Sequence, residues 1–191
     1  MHKEDKQRIK IQSKMSVTSV LIKCIKWSLS FVRLLRIKLV YGRKVELHLF
    51  HGKPVYIGKN CSFKVIGEGK IIIHGAVYFD DYCTVLADNG RIVIENSTYF
   101  NTFSRLISKG EINIAQGCMF GSNVSIYDHD ISLEVKEFGQ KYSVKPVKIG
   151  EYVWCGINTV VTKNLKSNVL HVGNPVVYKK VSIPLMDRKH R

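Results

Sequence analysis

The chain has 191 residues, 45% hydrophobic and 24% charged, with 14 Gly and 4 Pro. That is apolar material enough for one compact domain plus an appendage. It has no run of about 18 uncharged apolar residues, and its Met-His-Lys-Glu-Asp start lacks the apolar stretch and small-residue cleavage site of a secretory signal, so neither a membrane span nor export is expected.

The formal net charge of +15 is concentrated at the two ends: residues 1–53 carry 13 Lys/Arg and 3 Asp/Glu, residues 179–191 carry 5 and 1, and residues 54–178 are left with 12 and 11. A near-neutral body with basic ends points to terminal segments that meet an anionic surface, either membrane or nucleic acid, and not to a phosphate-reading face. The five cysteines (Cys24, Cys61, Cys83, Cys118, Cys155) are odd in number, far apart and without a CxxC pair, so reduced cytosolic thiols are expected, with neither a disulfide framework nor a metal site.

In chain order, residues 16–40 of the basic extension 1–53 read as an amphipathic helix. At about 100° per residue, Val17, Val20, Leu21, Cys24, Phe31, Leu34 and Leu35 share one side, and Lys23, Lys26, Arg33 and Arg36 the other. Two roles stay open: a cap on the end of a repeat stack, or a helix lying in a membrane interface with Trp27 near the boundary.

Residues 54–178 repeat. Tyr56–Phe63, Ile72–Phe79, Val93–Phe100, Asn113–Phe120 and Lys148–Cys155 each place an isoleucine (57, 73, 94, 114, 149) six positions before a bulky or apolar residue (63, 79, 100, 120, 155). The leading isoleucines are 16, 21, 20 and 35 residues apart. A six-residue step does not suit a helix, whose apolar stripe returns every three or four residues, but it suits short strands joined by tight turns. Three steps, about 18 residues, close one triangular coil of a parallel β-helix. Small residues at Gly58, Gly75, Ala115, Gly121 and Gly150 fit its corners. A β-sandwich is the weaker alternative, because the Asn-Gly hairpin signal occurs only at Asn89-Gly90. The 35-residue gap holds one coil plus an insertion at residues 131–145, and a basic tail follows at 179–191.

The stretch Lys148–Val181, with IGEYVWCGINTVVTKNL (149–165) and HVGNPVV (171–177), resembles the ending of the hexapeptide-repeat acyltransferases. It is most similar to their sugar and maltose/galactoside O-acetyltransferase branch, which includes polysaccharide O-acetyltransferases. The resemblance implies an all-β fold, a left-handed parallel β-helix, here with an N-terminal amphipathic helical extension. It also implies a homotrimer with acetyl-CoA as co-substrate, no permanently bound cofactor and no metal. NVSIYDHDIS (123–132) resembles the coil ending in the family's active-site histidine, matched here by His129. Imidazole titrates near neutrality and can take a proton from an alcohol during attack. Asp128 and Asp130 flank His129, and either could orient it.

STYFNTF (97–103) matches the family's acceptor-side asparagine at Asn101, with Tyr99 and Arg105 beside it as substrate contacts. Where the family often carries an acidic pair, this chain has Arg105–Lys109, which favours an acidic acceptor. By position, Trp154, Gly156, Thr162, Lys163, Gly173, Asn174 and Pro175 correspond to coenzyme A contacts.

The leading expectation is therefore an acetyl-CoA-dependent O-acetyltransferase that acts on a sugar hydroxyl of a bacterial surface glycan or its precursor, by direct transfer with a histidine base. It would work in the cytoplasm, with peripheral membrane contact through residues 16–40 and no specific nucleic-acid partner. The alternatives are an N-acetyltransferase of an amino or nucleotide sugar, an antibiotic acetyltransferase, or a non-catalytic scaffold or polyanion binder.

Overall fold

The computed structural model describes residues 17–132 and 141–173. Helix α1 (Val17–Tyr41) and a 3-10 turn (Gly42–Lys44) lead into three parallel sheets that the chain visits in rotation. The first face holds Val45–Leu47, Lys70–Ile73, Arg91–Ile94, Glu111–Ile114 and Val147–Ile149. The second holds Tyr56–Ile57, Tyr78–Phe79, Tyr99–Phe100, Met119–Phe120, Trp154–Cys155 and Leu170–His171. The third holds Ser62–Ile66, Thr84–Asp88, Arg105–Ser108, Ser125–Tyr127 and Val160–Val161. This is the left-handed parallel β-helix with an N-terminal helix. All three faces are parallel, which excludes the sandwich.

Each strand turns one or two side chains into the prism, where like residues stack between coils. Phe79, Phe100 and Phe120 are fully buried and lie ring on ring, with centroids 4.8 and 4.6 Å apart. Ile73, Ile94, Ile114 and Ile149 form a second column on the first face. Four of the five aligned segments therefore share one phase. Tyr56–Phe63 does not, because Ile57 pairs with Phe79 on the second face and Phe63 with Val85 on the third. The hexad step is the same on every face, so a single segment carries no mark of which face it occupies.

Corners are tight for two separate reasons. Residues in the left-handed region supply the sharp turns, and most are not glycine: Asn60, Tyr82, Phe103, Asn123 and Asn158 hold one corner from coil to coil. Gly58 and Gly150 have ordinary φ but stand against the next coil, where a Cβ would lie 2.7 Å from backbone atoms of residues 80 and 81 and 2.5 Å from Ser167 N. At those positions the lack of a side chain matters for close stacking, not for φ.

Helix α1 closes the open end of the stack. Ile57 is an edge residue of the second face, and Ser30 Oγ accepts its N–H at 2.7 Å while Arg33 Nη1 donates to its carbonyl at 3.0 Å. Leu34, Ile37 and Tyr41 pack on the core, and Trp27 meets Tyr56 and Tyr78 edge-on. The docked side is not the apolar side read from the sequence, whose role the sequence leaves open: Val17, Val20, Leu21, Phe31 and Leu35 are exposed, and of that group Leu34 turns inward. The reason is chemical, since an edge strand presents unpaired N–H and C=O groups and needs polar partners from its cap. Ser30→Ala leaves the buried Ile57 N–H without an acceptor and is expected to cost about 1–3 kcal/mol in denaturant unfolding. Ser28→Ala, on the exposed side, is expected to change stability by less than about 0.5 kcal/mol.

Candidate active site

The third face delivers Ser125–Tyr127 to a corner, and there the chain leaves the stack. His129–Ile131 pairs antiparallel with Tyr142–Val144, forming a two-stranded ribbon whose far end, residues 133–140, lies outside the described residues. The insertion read from the coil spacing therefore begins and ends as a hairpin arm. Its return passes over Gly110, where a Cβ would lie 2.4 Å from Val144 Cγ1, so any larger residue would displace the arm.

Asp128, 1% exposed, is the pivot of this corner. Its Oδ2 accepts from Ser108 Oγ at 2.6 Å and Gly110 N–H at 2.8 Å, and its Oδ1 from Lys109 N–H at 2.9 Å. His129 Nδ1 lies 2.9 Å from the same Oδ1. Burial pushes the carboxyl up, but the hydrogen bonds from Ser108, Lys109, His129 and Gly110 outweigh it and hold it below the usual carboxylate value. Asp128 is thus an anion at neutral pH, and a carboxylate can only accept. The proton of neutral His129 therefore sits on Nδ1, which leaves Nε2 as the free acceptor.

The ring is also held on its flanks. Tyr142 and Tyr127 meet it edge-on at 5.4 and 5.9 Å. Lys109 sits 4.2 Å over the Tyr142 ring and pairs with Asp88 one coil back. His129 opens on a cleft of about 600 Å³ whose walls include Asp130, Ser143, Lys145, Thr162 and Lys163. Asp130 Oδ1 accepts from Ile131 N–H, not from the imidazole, so of the two flanking carboxylates Asp128 is the one that orients it.

Of the residues expected at the site, the cleft gathers His129, Asp128, Asp130, Thr162 and Lys163. The other described ones lie elsewhere on this chain. Tyr99 is on the second face, tied to Asp80, and burial followed by that bond pushes its phenol up to about 12. Asn101 turns its Oδ1 onto Thr102 N–H at 2.8 Å. Arg105 is exposed on the third face and reaches Asn123 at 3.3 Å. Trp154 projects outward, 56% exposed, and Gly156 lies where a Cβ would come 2.9 Å from Val172 Cγ1. Gly173 has φ of 92° at the end of the described residues. Asn174, Pro175 and the tail 179–191 lie outside them.

Ser108, Gly110 and Tyr142 escaped the sequence reading as site residues, and Lys109 entered it only as part of the basic stretch Arg105–Lys109. Ser108 could have been found by stepping back 20 residues from Asp128, the same interval that separates Phe100 from Phe120. Among the described residues no group of three His, Cys, Asp or Glu is placed to hold a metal ion. The other central histidine, His74, stacks on His48 at 5.0 Å on the first face.

No protein-family model matches the chain. It is 29% identical over 136 residues, 71% of its length, to the dTDP-4-amino-4,6-dideoxy-D-glucose acyltransferase of Escherichia coli, and the match spans 62% of that relative. Among solved structures it is similar to a point mutant of AntD, an N-acyltransferase from Bacillus cereus in complex with dTDP and coenzyme A (17% identity, TM-score 0.47, 76% of this chain and 87% of that one). It is also similar to NeuO, the polySia-specific acetyltransferase (15%, TM-score 0.28, 78% and 92%). Both superpositions are loose, and no residue assignment rests on them. Stacked hexad coils carrying a carboxylate-held histidine at a cleft define a β-helical scaffold with a candidate base. The similarity to the Escherichia coli acyltransferase agrees with the resemblance read from the coil motifs.

Proposed function

We propose that the chain transfers an acetyl group from acetyl-CoA to a hydroxyl of a sugar in a bacterial surface glycan or its precursor, with His129 as general base. The observation that carries this reading is the imidazole held through Nδ1 by Asp128 in the wall of the cleft. An alcohol is a weak nucleophile at neutral pH, so a base in place during attack is what the chemistry needs. Nε2 takes the hydroxyl proton as the oxygen bonds to the thioester carbon. Collapse of the tetrahedral intermediate breaks the C–S bond, and the imidazolium returns its proton to the departing thiolate. Asp128 stabilises the imidazolium between the two steps. Lys163 and Thr162, on the same cleft, are suited to the donor's phosphates and carbonyl.

The family resemblance supports a homotrimer with the donor groove between neighbouring copies. In one chain Asn101, Tyr99 and Arg105 lie away from the cleft that His129 lines, and a neighbouring copy is the natural supplier of acceptor contacts. The exposed apolar residues Trp154, Ile157, Leu170 and Val172 of the last coils fit a surface that a neighbour covers.

N-acylation of a nucleotide-linked amino sugar is the second reading, favoured by the similarity to the dTDP-amino-sugar acyltransferase. Treating the acylated product with hydroxylamine separates the two, because an ester is cleaved and an amide survives. Label from acetyl-CoA that hydroxylamine releases is the expected result, and label that persists on an amino sugar selects the second reading.

A further inference from the structure

The cap leaves one side of α1 bare. Val17, Leu21, Ile25, Val32, Leu35 and Leu39 are each between 50% and 85% exposed. At about 100° per residue they fall within an arc of about 80°, opposite Ser30, Leu34, Ile37 and Tyr41 on the docked side. The stripe runs the whole 25-residue helix, about 37 Å. Arg36 is exposed beside the stripe, Lys23 and Lys26 are exposed farther round the helix, and Arg43 and Lys44 follow at its end.

We infer that this face of α1 docks on the surface of an anionic phospholipid bilayer, its apolar stripe sunk into the headgroup boundary while the opposite side caps the β-helix. Charge selects the occupant. With 13 Lys/Arg against 3 Asp/Glu in residues 1–53, two copies of the helix would meet cation to cation, and the body, at 12 against 11, carries no net negative charge to attract it. An anionic leaflet matches both the charge and the stripe. No helix among the described residues is long and apolar enough to cross a membrane, so α1 lies along the surface. Trp27 plays no part in it, because its ring is against Tyr56 and Tyr78. The inference does not depend on the acyl-transfer reading.

The test is co-sedimentation of the full chain with vesicles of phosphatidylcholine, with and without phosphatidylglycerol. Expected are binding that requires phosphatidylglycerol, weakening as salt rises, and at least about tenfold weaker binding for Leu21→Glu/Leu35→Glu at unchanged melting temperature. Those substitutions touch only the bare face, so failure to fold is not at issue. Absence of binding by the native chain, or equal binding by the variant, overturns the inference. So does a variant that falls to a smaller solution mass without any vesicle binding by the native chain, since a second copy would then be the occupant.

Discussion

His129→Ala loses at least about a hundredfold of acceptor-dependent turnover while its affinity for acetyl-CoA stays within about twofold of the native value. A base acts on the proton in flight and not on the resting donor, so its removal lowers kcat and leaves donor binding in place. The side chain is 10% exposed and rests between two tyrosine edges, so truncation opens a small cavity beside the cleft but leaves the coil's ladder intact. Melting temperature and calorimetric titration with coenzyme A check that the variant is folded and loaded. A variant retaining native turnover would remove His129 from the mechanism.

Asp128→Asn is the second large effect, and it acts through His129. Of the carboxylate's two oxygens, one accepts from Lys109 N–H and faces His129 Nδ1, and the other accepts from Ser108 Oγ and Gly110 N–H. An amide keeps one acceptor and sets two donors against whichever partners meet its nitrogen. If the nitrogen faces Gly110, a buried N–H loses its acceptor, at about 1–3 kcal/mol of stability. If it faces His129, the imidazole proton is driven to Nε2 and the base is lost. The expected result is a fall in kcat on the order of a hundredfold or more with KM for acetyl-CoA little changed, and, by 15N NMR, loss of the pure Nδ1–H tautomer. A purely structural role would lower stability without moving the tautomer.

The pH dependence has a definite sign. Asp128 lies below its ordinary value in the folded protein, so its stabilisation is complete above the unfolded carboxyl's range and is lost as pH falls through the folded value. Unfolding free energies of the native protein and of the Asp128→Asn variant should therefore converge in acid and separate toward neutrality.

The column of Ile73, Ile94, Ile114 and Ile149, with its partner column of Phe79, Phe100, Phe120 and Cys155, was legible because every coil repeats the same burial demand. The phase of Tyr56–Phe63 was not, since the hexad period is common to all three faces. The docked side of α1 was not legible for a different reason: hydrophobicity marks what wants burial, whereas an edge strand asks its cap for a hydroxyl and a guanidinium, supplied by Ser30 and Arg33. At the site, the motif around His129 named the histidine that lines the cleft and both candidate orienters. It could not choose Asp128, because the choice is made one coil away by Ser108 and by the backbone of Lys109 and Gly110. The separation of Asn101 from His129 within one chain was equally hidden, because sequence distance in coils does not say which corner each residue occupies.

The most direct test of the account is free-thiol release from acetyl-CoA by the full chain, measured against a panel of surface polysaccharides, simple sugars and nucleotide-linked amino sugars. The account predicts release that depends on a sugar acceptor and disappears with His129→Ala. No release with any acceptor, together with no coenzyme A binding by calorimetry, would contradict it and leave a β-helix scaffold without transferase chemistry.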